Sequence, residues 1–351
     1  MVAVADDRGM FLGTALYSSA SQIAVRMISS RPVDDLPGLL GERVRSAIAY
    51  RERVVQNSDA YRVVFSEADF LPGLIVDRYN DVLSLQILTQ AMDTEAVRSR
   101  ILAELQPRLN PAGIIERVEA RIRDLEQLPA RATGLVHGDK SSTVFAMNGV
   151  RFQYDGLQGQ KTGAFLDQRE NYVAAAQYAR GEALDVFCYQ GGFVLHMAER
   201  CSSVTGVDSS RAALEVAEQN AKLNGREIEW MEANAFDLLR DYSSGGRQYD
   251  TIVLDPPAFA KSKQNLDTAL RGYKELNLRA LKMLRPGGTL VTCSCSYHVS
   301  PSGFLEMVSE AARDAHRSVR LIESRTQSKD HPVLLGVPET GYLKCLILSL
   351  T

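Results

Sequence analysis

Cys293 and Cys295 follow the apolar run Thr289-Leu-Val-Thr292, and Asp255 closes another, Thr251-Ile-Val-Leu254, directly before Pro256-Pro257. A thiol attacks as its thiolate, from a partly exposed position beside its target. The two thiols are expected to point to opposite faces if the strand continues, so that one of the pair reaches a ligand. Two consecutive prolines end a strand ladder and force a rigid turn, which pushes Asp255 and the nearby carbonyls out of the sheet. Cys188, Cys201 and Cys345 are read as inert buried side chains, the usual fate of the type.

Other segments suit a nucleoside. The run Ala183-Leu-Asp-Val-Phe187, with Asp185 and Phe187 counted as cofactor candidates, leads into Cys188-Tyr-Gln-Gly-Gly-Phe193. Gly191 and Gly192 would admit a ligand close to the backbone, although a tight turn alone can also call for such a pair. Asp208 ends the next strand, where a carboxylate can accept hydrogen bonds from both ribose hydroxyls; the plainer role is a helix cap ahead of Ser209 and Ser210. Asn234-Ala235-Phe236 offers a polar edge and an aromatic face to adenine, and Asp255-Pro256 completes a series of four devices in order. The turn lacks the phosphate-cradling G-x-G-x-x-G, which disfavours a dinucleotide.

These side chains need a frame. From about residue 160 strands and helices alternate, with strands at 182–187, 203–208, 227–232, 249–254 and 288–294 and helices at 170–179, 192–200, 210–224 and 272–284, the pattern of a doubly wound parallel sheet with its ligand at the strands' carboxyl ends. Residues 33–155 read as an α+β segment: helices at 36–55 and 94–109, paired strands within 74–88, and strands at 114–121 and 142–154. Residues 1–32 read as short strands, too few for an independent domain. The expected division is thus 1–32, 33–155 and 156–351.

The 351 residues have a net charge of -3, 45% apolar and 24% charged content, and 5 scattered cysteines. Nothing approaches the ~18 apolar residues of a membrane span. The acidic pair Asp6-Asp7 does not suit a signal peptide, so a cytoplasmic location is expected. Neither a disulfide framework nor a metal site is suggested by the cysteine or histidine spacing. The charge gives no global nucleic-acid footprint, so RNA contact must be local. Lys261, Lys263, Arg271 and Lys274 form the candidate patch, against a plainer reading as a solvated loop and helix surface. A homodimer is left open.

The glycine turn, Asp208 and Asp255-Pro-Pro together resemble the motifs of class I methyltransferases that use S-adenosylmethionine. More closely, Gln158-Gly-Gln-Lys-Thr-Gly-Ala-Phe-Leu-Asp-Gln-Arg-Glu-Asn171, the turn 188–193, Asp255-Pro-Pro-Ala-Phe-Ala260 and Thr292-Cys-Ser-Cys-Ser296 resemble the large-subunit ribosomal RNA cytosine-C5 methyltransferase family. The resemblance covers nearly the whole chain: Phe70-Leu-Pro-Gly-Leu-Ile-Val-Asp-Arg-Tyr79 is similar to that family's central domain, and residues 1–32 to the closing part of its PUA barrel. It implies an α/β fold, a Rossmann-like doubly wound sheet preceded by a smaller α+β domain and a partial β-barrel remnant, with RNA as partner. It further implies that Thr162, Gly163, Phe165, Asp167 and Arg169 serve the cofactor's methionine side. An ordinary Asp167–Arg169 ion pair at the helix start is the structural alternative.

Cytosine C5 is a poor nucleophile, so methylation there needs a thiolate added at C6 and a hydrogen bond or proton at N3. Aligning the family's motif without gaps from the shared Leu-Val makes Cys295 the nucleophile; matching the letters Thr-Cys-Ser selects Cys293 instead. Asp255 is the candidate for N3, unless it serves only to hold its turn. Related enzymes often place a second cysteine where this chain has Ala258, which leaves the base for C5 unassigned. His298 is the one histidine near this chemistry and reads as a loop residue. Two rivals stay open: methylation of an exocyclic amine or ring nitrogen, whose Asp-Pro-Pro-aromatic motif would need Phe259 one place earlier, and a non-catalytic RNA-binding protein that keeps the fold.

Overall fold

The computed structural model describes residues 1–157, 163–260 and 263–351, with the side chain of residue 263 left aside. The chain divides into two compact units, 1–149 with 153–166 and 329–340, and 150–152 with 167–328 and 341–351.

In the first unit β1 (Val2–Ala5), β2 (Phe11–Tyr17) and β3 (Val25–Ser29) form a three-stranded antiparallel sheet. Then follow α1 (Leu36–Val54), β4 (Ala60–Phe65), β5 (Leu74–Tyr79), β6 (Val82–Ile87), α2 (Glu95–Leu109), β7 (Gly113–Glu116), α3 (Ala120–Leu125) and β8 (Gly134–Gly138). The order β4-β5-β6-β7-β8 is antiparallel except for β6 and β7, which run parallel with α2 as their crossover. Leu40, Val44 and Ile48 on α1 and Val97, Ile101 and Leu105 on α2 recur at helical spacing and share a core with Val76 and Leu85. The strand expected over 114–121 stops at Glu116: Glu116 pairs with buried Arg98, and the chain turns into α3, whose Arg123 reaches Asp93 at 2.8 Å. β9 (Ser142–Met147) and β10 (Val150–Asp155) form a hairpin through Asn148-Gly149, both at positive φ.

The second unit holds α4 (Arg169–Tyr178), β11 (Gly181–Val186), α5 (Gly192–Met197), β12 (Cys201–Asp208), α6 (Arg211–Leu223), β13 (Glu229–Glu232) and α7 (Ala235–Ser244). It continues with β14 (Tyr249–Leu254), α8 (Leu266–Met283), β15 (Leu284–Ser294), α9 (Pro301–Asp314), β16 (Val319–Arg325) and β17 (Lys344–Leu350). The sheet order is β13-β12-β11-β14-β15-β17-β16; the first five strands are parallel and the last two antiparallel. The expected doubly wound sheet is present. Thr251 to Leu254 is buried throughout, as a central parallel strand covered on both faces must be. The sequence reading lacked α7, α9 and the β16–β17 hairpin, and it began α8 and β15 too late.

Strand order reverses between β11 and β14, so the helices that follow them diverge and open a crevice at their carboxyl ends. The turn after β11 is tightly wound, with Phe187, Tyr189 and Gly191 at φ of 70°, 49° and 90°. Two non-glycine residues in the left-handed region are a local strain that the surrounding sheet must hold. Packing also calls for Gly192: a Cβ there would collide with the ring of Tyr172, which packs edge-on to Phe193 at 4.8 Å and stacks on His196 at 5.1 Å. Gly192→Ala is therefore expected to lower stability by about 1–3 kcal/mol in urea unfolding; unchanged stability would show that the ring has room to move.

Candidate active site

Asp208 ends β12, and Phe187, Asp255 and Cys295 directly follow the ends of β11, β14 and β15, the adjacent parallel strands in that order. Three strand intervals separate the first from the last, roughly 14 Å. A nucleoside at one end of that row and a second reactant at the other can both meet its centre.

At the β12 end the two oxygens of Asp208 accept from the backbone N–H groups of Tyr189 and Ser210, each at 2.9 Å. The helix cap is Ser210, not Asp208. Asp208 thus ties the strained turn to its neighbouring strand, and each oxygen keeps a lone pair for a ribose hydroxyl. Asn234 caps α7, its Oδ1 accepting from the N–H groups of Phe236 and Asp237, while Phe236 is partly exposed in the first turn. Asp185 is fully buried; Oδ2 accepts from Val194 N–H at 3.1 Å, and Oδ1 has no protein partner. Burial above all, then the charge of Asp255, raises its carboxyl well above the ordinary range.

Asp255 is half-buried and accepts from Gln168 Nε2 at 3.0 Å. Burial first and the charge of Asp167 second push its carboxyl up to about 7, against the lowering effect of Gln168. Its side chain does not tie down its own turn, the alternative raised from sequence; its partner comes from the segment before α4. The backbone carbonyl of Asp167 accepts from Ser328 N–H and Oγ, and its Oδ2 accepts from Tyr342 Oη at 2.7 Å. The alternative Asp167–Arg169 ion pair is not formed: buried Arg169 lies 3.7 Å from Glu170.

The expectation of opposite faces is corrected: residues two apart on a strand share a face, and Cys293 and Cys295 part because β15 ends at Ser294, between them. Cys293 lies inside β15 against Cys345, fully buried, and burial followed by that neighbouring thiol raises it well above the usual thiol range. Cys295 lies past the strand end, half-buried, its Sγ 4.0 Å from the Pro256 carbonyl oxygen. The next residue is pinned from several elements: Ser296 Oγ accepts from Ala260 N–H and bonds Tyr273 Oη at 2.9 Å, and its carbonyl accepts from Lys344 Nζ at 2.6 Å. Cys295 therefore projects from a fixed backbone, which a directed nucleophile requires.

Several expected residues fall elsewhere. Lys161, Thr162 and Lys261 lie outside the described residues, as does the side chain of Lys263. Gly163, at φ 124° beside Tyr79 and Tyr154, and the partly exposed Phe165 belong to the first unit. Lys274 is corrected as a phosphate contact: its ammonium is held by Glu310 and Asp314 at 3.1 and 2.9 Å across α8 and α9. Arg271 is an exposed α8 residue bonded to Thr268. Among the described residues no group of His, Cys, Asp and Glu could hold a metal, and no helix is long and apolar enough to cross a membrane. Sequence reasoning gave no role to Gln168, Tyr273, Ser296, Tyr342 or Lys344. Gln168 lay inside a quoted motif, but Tyr342 and Lys344 come from a hairpin that the strand pattern did not reveal.

Residues 74–348 match the family described as S-adenosylmethionine-dependent methyltransferase, and residues 1–30 match a PUA-like domain. Two proteins named Ribosomal RNA large subunit methyltransferase I are similar over most of their length. That of Shewanella denitrificans is 38% identical over 97% of this chain and 87% of its own, and that of Tolumonas auensis 37% identical over 99% and 89%. Among solved structures, a SAM-dependent methyltransferase from Streptococcus mutans matches with a TM-score of 0.84 at 19% identity, covering 99% of this chain and 90% of its own. One from Agrobacterium tumefaciens gives 0.57 at 18%, covering 84% and 90%; at such identities these two speak for the fold. On the sequence matches and the strand-end site together, the chain belongs to the S-adenosylmethionine-dependent methyltransferase family and is an enzyme that uses that cofactor.

Proposed function

We propose that this methyltransferase forms 5-methylcytosine in large-subunit ribosomal RNA, in the cytoplasm, through a covalent bond between Cys295 and C6 of the target base. The observation that carries the reading is the separation of the two thiols: Cys295 is half-buried beside the Asp255-Pro256 turn, whereas Cys293 is sealed in the sheet. The names of the similar proteins support RNA of the large ribosomal subunit as the substrate.

The residues present fit the cofactor. Asp208 would take the ribose hydroxyls and Asn234 and Phe236 the adenine, while the buried Asp185 carboxylate, with one oxygen lacking a protein partner, suits a cationic ligand. Asp167 and Arg169 stay in the proposal as residues serving the methionine end. Bound S-adenosylmethionine supplies an electrophilic methyl group to the activated C5. The chain's own work is at the base. The Cys295 thiolate forms a bond to C6, and the electron pair moves through C5 toward N3, where protonated Asp255 donates. The C5 proton then passes to solvent, its bonding pair re-forms the C5–C6 double bond as the C6–S bond breaks and returns the thiolate, and N3 gives its proton back to Asp255. The exocyclic-amine reading is less well supported, because Phe259 packs against Tyr273 at 4.7 Å and Phe236 at 6.0 Å instead of presenting itself to a flipped base.

Three outcomes are expected. With RNA carrying 5-fluorocytosine and the cofactor, the wild-type protein and Cys293→Ser form a denaturation-resistant adduct and Cys295→Ser does not; an adduct with Cys295→Ser would sink the assignment. Because the Asp255 carboxyl titrates at about 7 and donates only when protonated, single-turnover methylation acquires a falling limb as pH rises through that value. Asp255→Asn, with a permanent N–H donor, removes this limb; a limb common to both forms would contradict the N3 role. Asp208→Ala weakens cofactor binding about 10–100-fold by calorimetry, the effect of losing charge-assisted hydrogen bonds; undiminished affinity would exclude the ribose contact.

A further inference from the structure

Lys344 opens β17 directly across from Ser294 of β15, and it is buried. Its ammonium donates to two backbone carbonyls, Ser296 at 2.6 Å and Tyr342 at 2.8 Å. Among the described residues no carboxylate lies within ion-pair distance of it. That is an unusual state for a buried lysine, since a charge withdrawn from water is normally paired or neutralised. Two of its three N–H groups are taken by neutral oxygens, so its charge has no anionic partner in the ion-pair pattern of the unit.

The group whose charge acts on Lys344 is the Cys295 sulfur: burial lowers the lysine to about 8, and the Cys295 thiolate raises it in opposition. One of the carbonyls that hold the ammonium belongs to Ser296, so the cation is fixed to the backbone that carries the thiol. The other titratable groups around it are accounted for. Tyr273 on α8 bonds Ser296 and is raised chiefly by burial. Asp255 on the turn after β14 is engaged by Gln168, Cys293 and Cys345 face each other within the sheet, and on β16 Arg325 pairs with Glu323 at 2.6 Å.

We propose that Lys344 is the counter-ion of the Cys295 thiolate, a positioning residue that makes the thiol ionise at a lower pH and holds the resulting anion toward the base. The thiol proton passes to solvent, and Lys344 keeps its own. This deepens the cysteine mechanism above and rests on Cys295 being the nucleophile. It also gives a reason for the invasion of the sheet by β17, which brings a cation to the end of β15 from a segment remote in sequence.

The test is the pH dependence of alkylation, followed on the Cys295 peptide by mass spectrometry in the full chain, with calorimetry of S-adenosylmethionine binding to confirm the fold of each variant. In Lys344→Gln the midpoint of the iodoacetamide profile is expected to move up by about one pH unit or more, and in Lys344→Arg to stay near that of the wild type. A Lys344→Gln profile superimposed on the wild type would overturn the proposal. If the glutamine variant does not fold, the unaltered protein decides: a fixed cation favours anionic iodoacetate over neutral iodoacetamide at Cys295 more than at Cys201, and the same preference at both thiols would overturn it. Neither readout uses RNA. A shifted profile without a 5-fluorocytosine adduct would sustain the ion pair and refute the cytosine chemistry, and an adduct with an unshifted profile would do the reverse.

Discussion

Charge crowded at one edge of a sheet governs this enzyme. The order β12-β11-β14 brings Asp208, Asp185 and Asp255 to neighbouring strand ends, and Asp167 approaches from the segment before α4. Burial first, and neighbouring carboxylates second, hold Asp185 and Asp255 above a free carboxyl: Asp255 acts on Asp185, and Asp167 on Asp255. A cationic ligand relieves such a site, and S-adenosylmethionine carries both a sulfonium and an ammonium group. The same crowding leaves Asp255 near neutrality, where a carboxyl can still give a proton. In the proposed mechanism, cofactor selection and base activation draw on one electrostatic arrangement.

Rigid support keeps that arrangement from relaxing. Phe187 and Tyr189 stay in left-handed conformations because Asp208 accepts from Tyr189 N–H and the Phe187 and Cys188 N–H groups bond Val207. Tyr172 fills the space above Gly192, and the Ser296 hydroxyl gathers Tyr273 and Ala260 around the end of β15. These contacts lie behind Asp255 and Cys295 and limit where the two side chains can move. A nucleophile displaced by about 1 Å loses much of its advantage, so such backing would serve the proposed chemistry.

Much of this was legible in the sequence where chemistry and local geometry coincide. Gly191, Asp208 and Asp255-Pro256-Pro257 announce a crevice because a positive-φ turn, a strand-terminal acid and a double proline each leave a mark in the residue types. Alternation could not separate Cys293 from Cys295, which lie two apart; the end of β15 at Ser294 does so, and the choice between them in the sequence came from the motif resemblance. Long-range pairing was not legible. Lys344 reaches Ser296 through an antiparallel strand 48 residues downstream, and Gln168 reaches Asp255 across 87 residues. Lys274 misled because its charge is visible in the sequence, while the acidic face of α9 that neutralises it is visible only after folding.

The central claim concerns one base in one RNA, and the direct test is a map of 5-methylcytosine in large-subunit ribosomal RNA from cells with and without this gene. Loss of methylation at a single cytosine, restored by the wild-type chain and not by Cys295→Ser, is the predicted result. An identical map in both strains, or restoration by Cys295→Ser, would contradict the account.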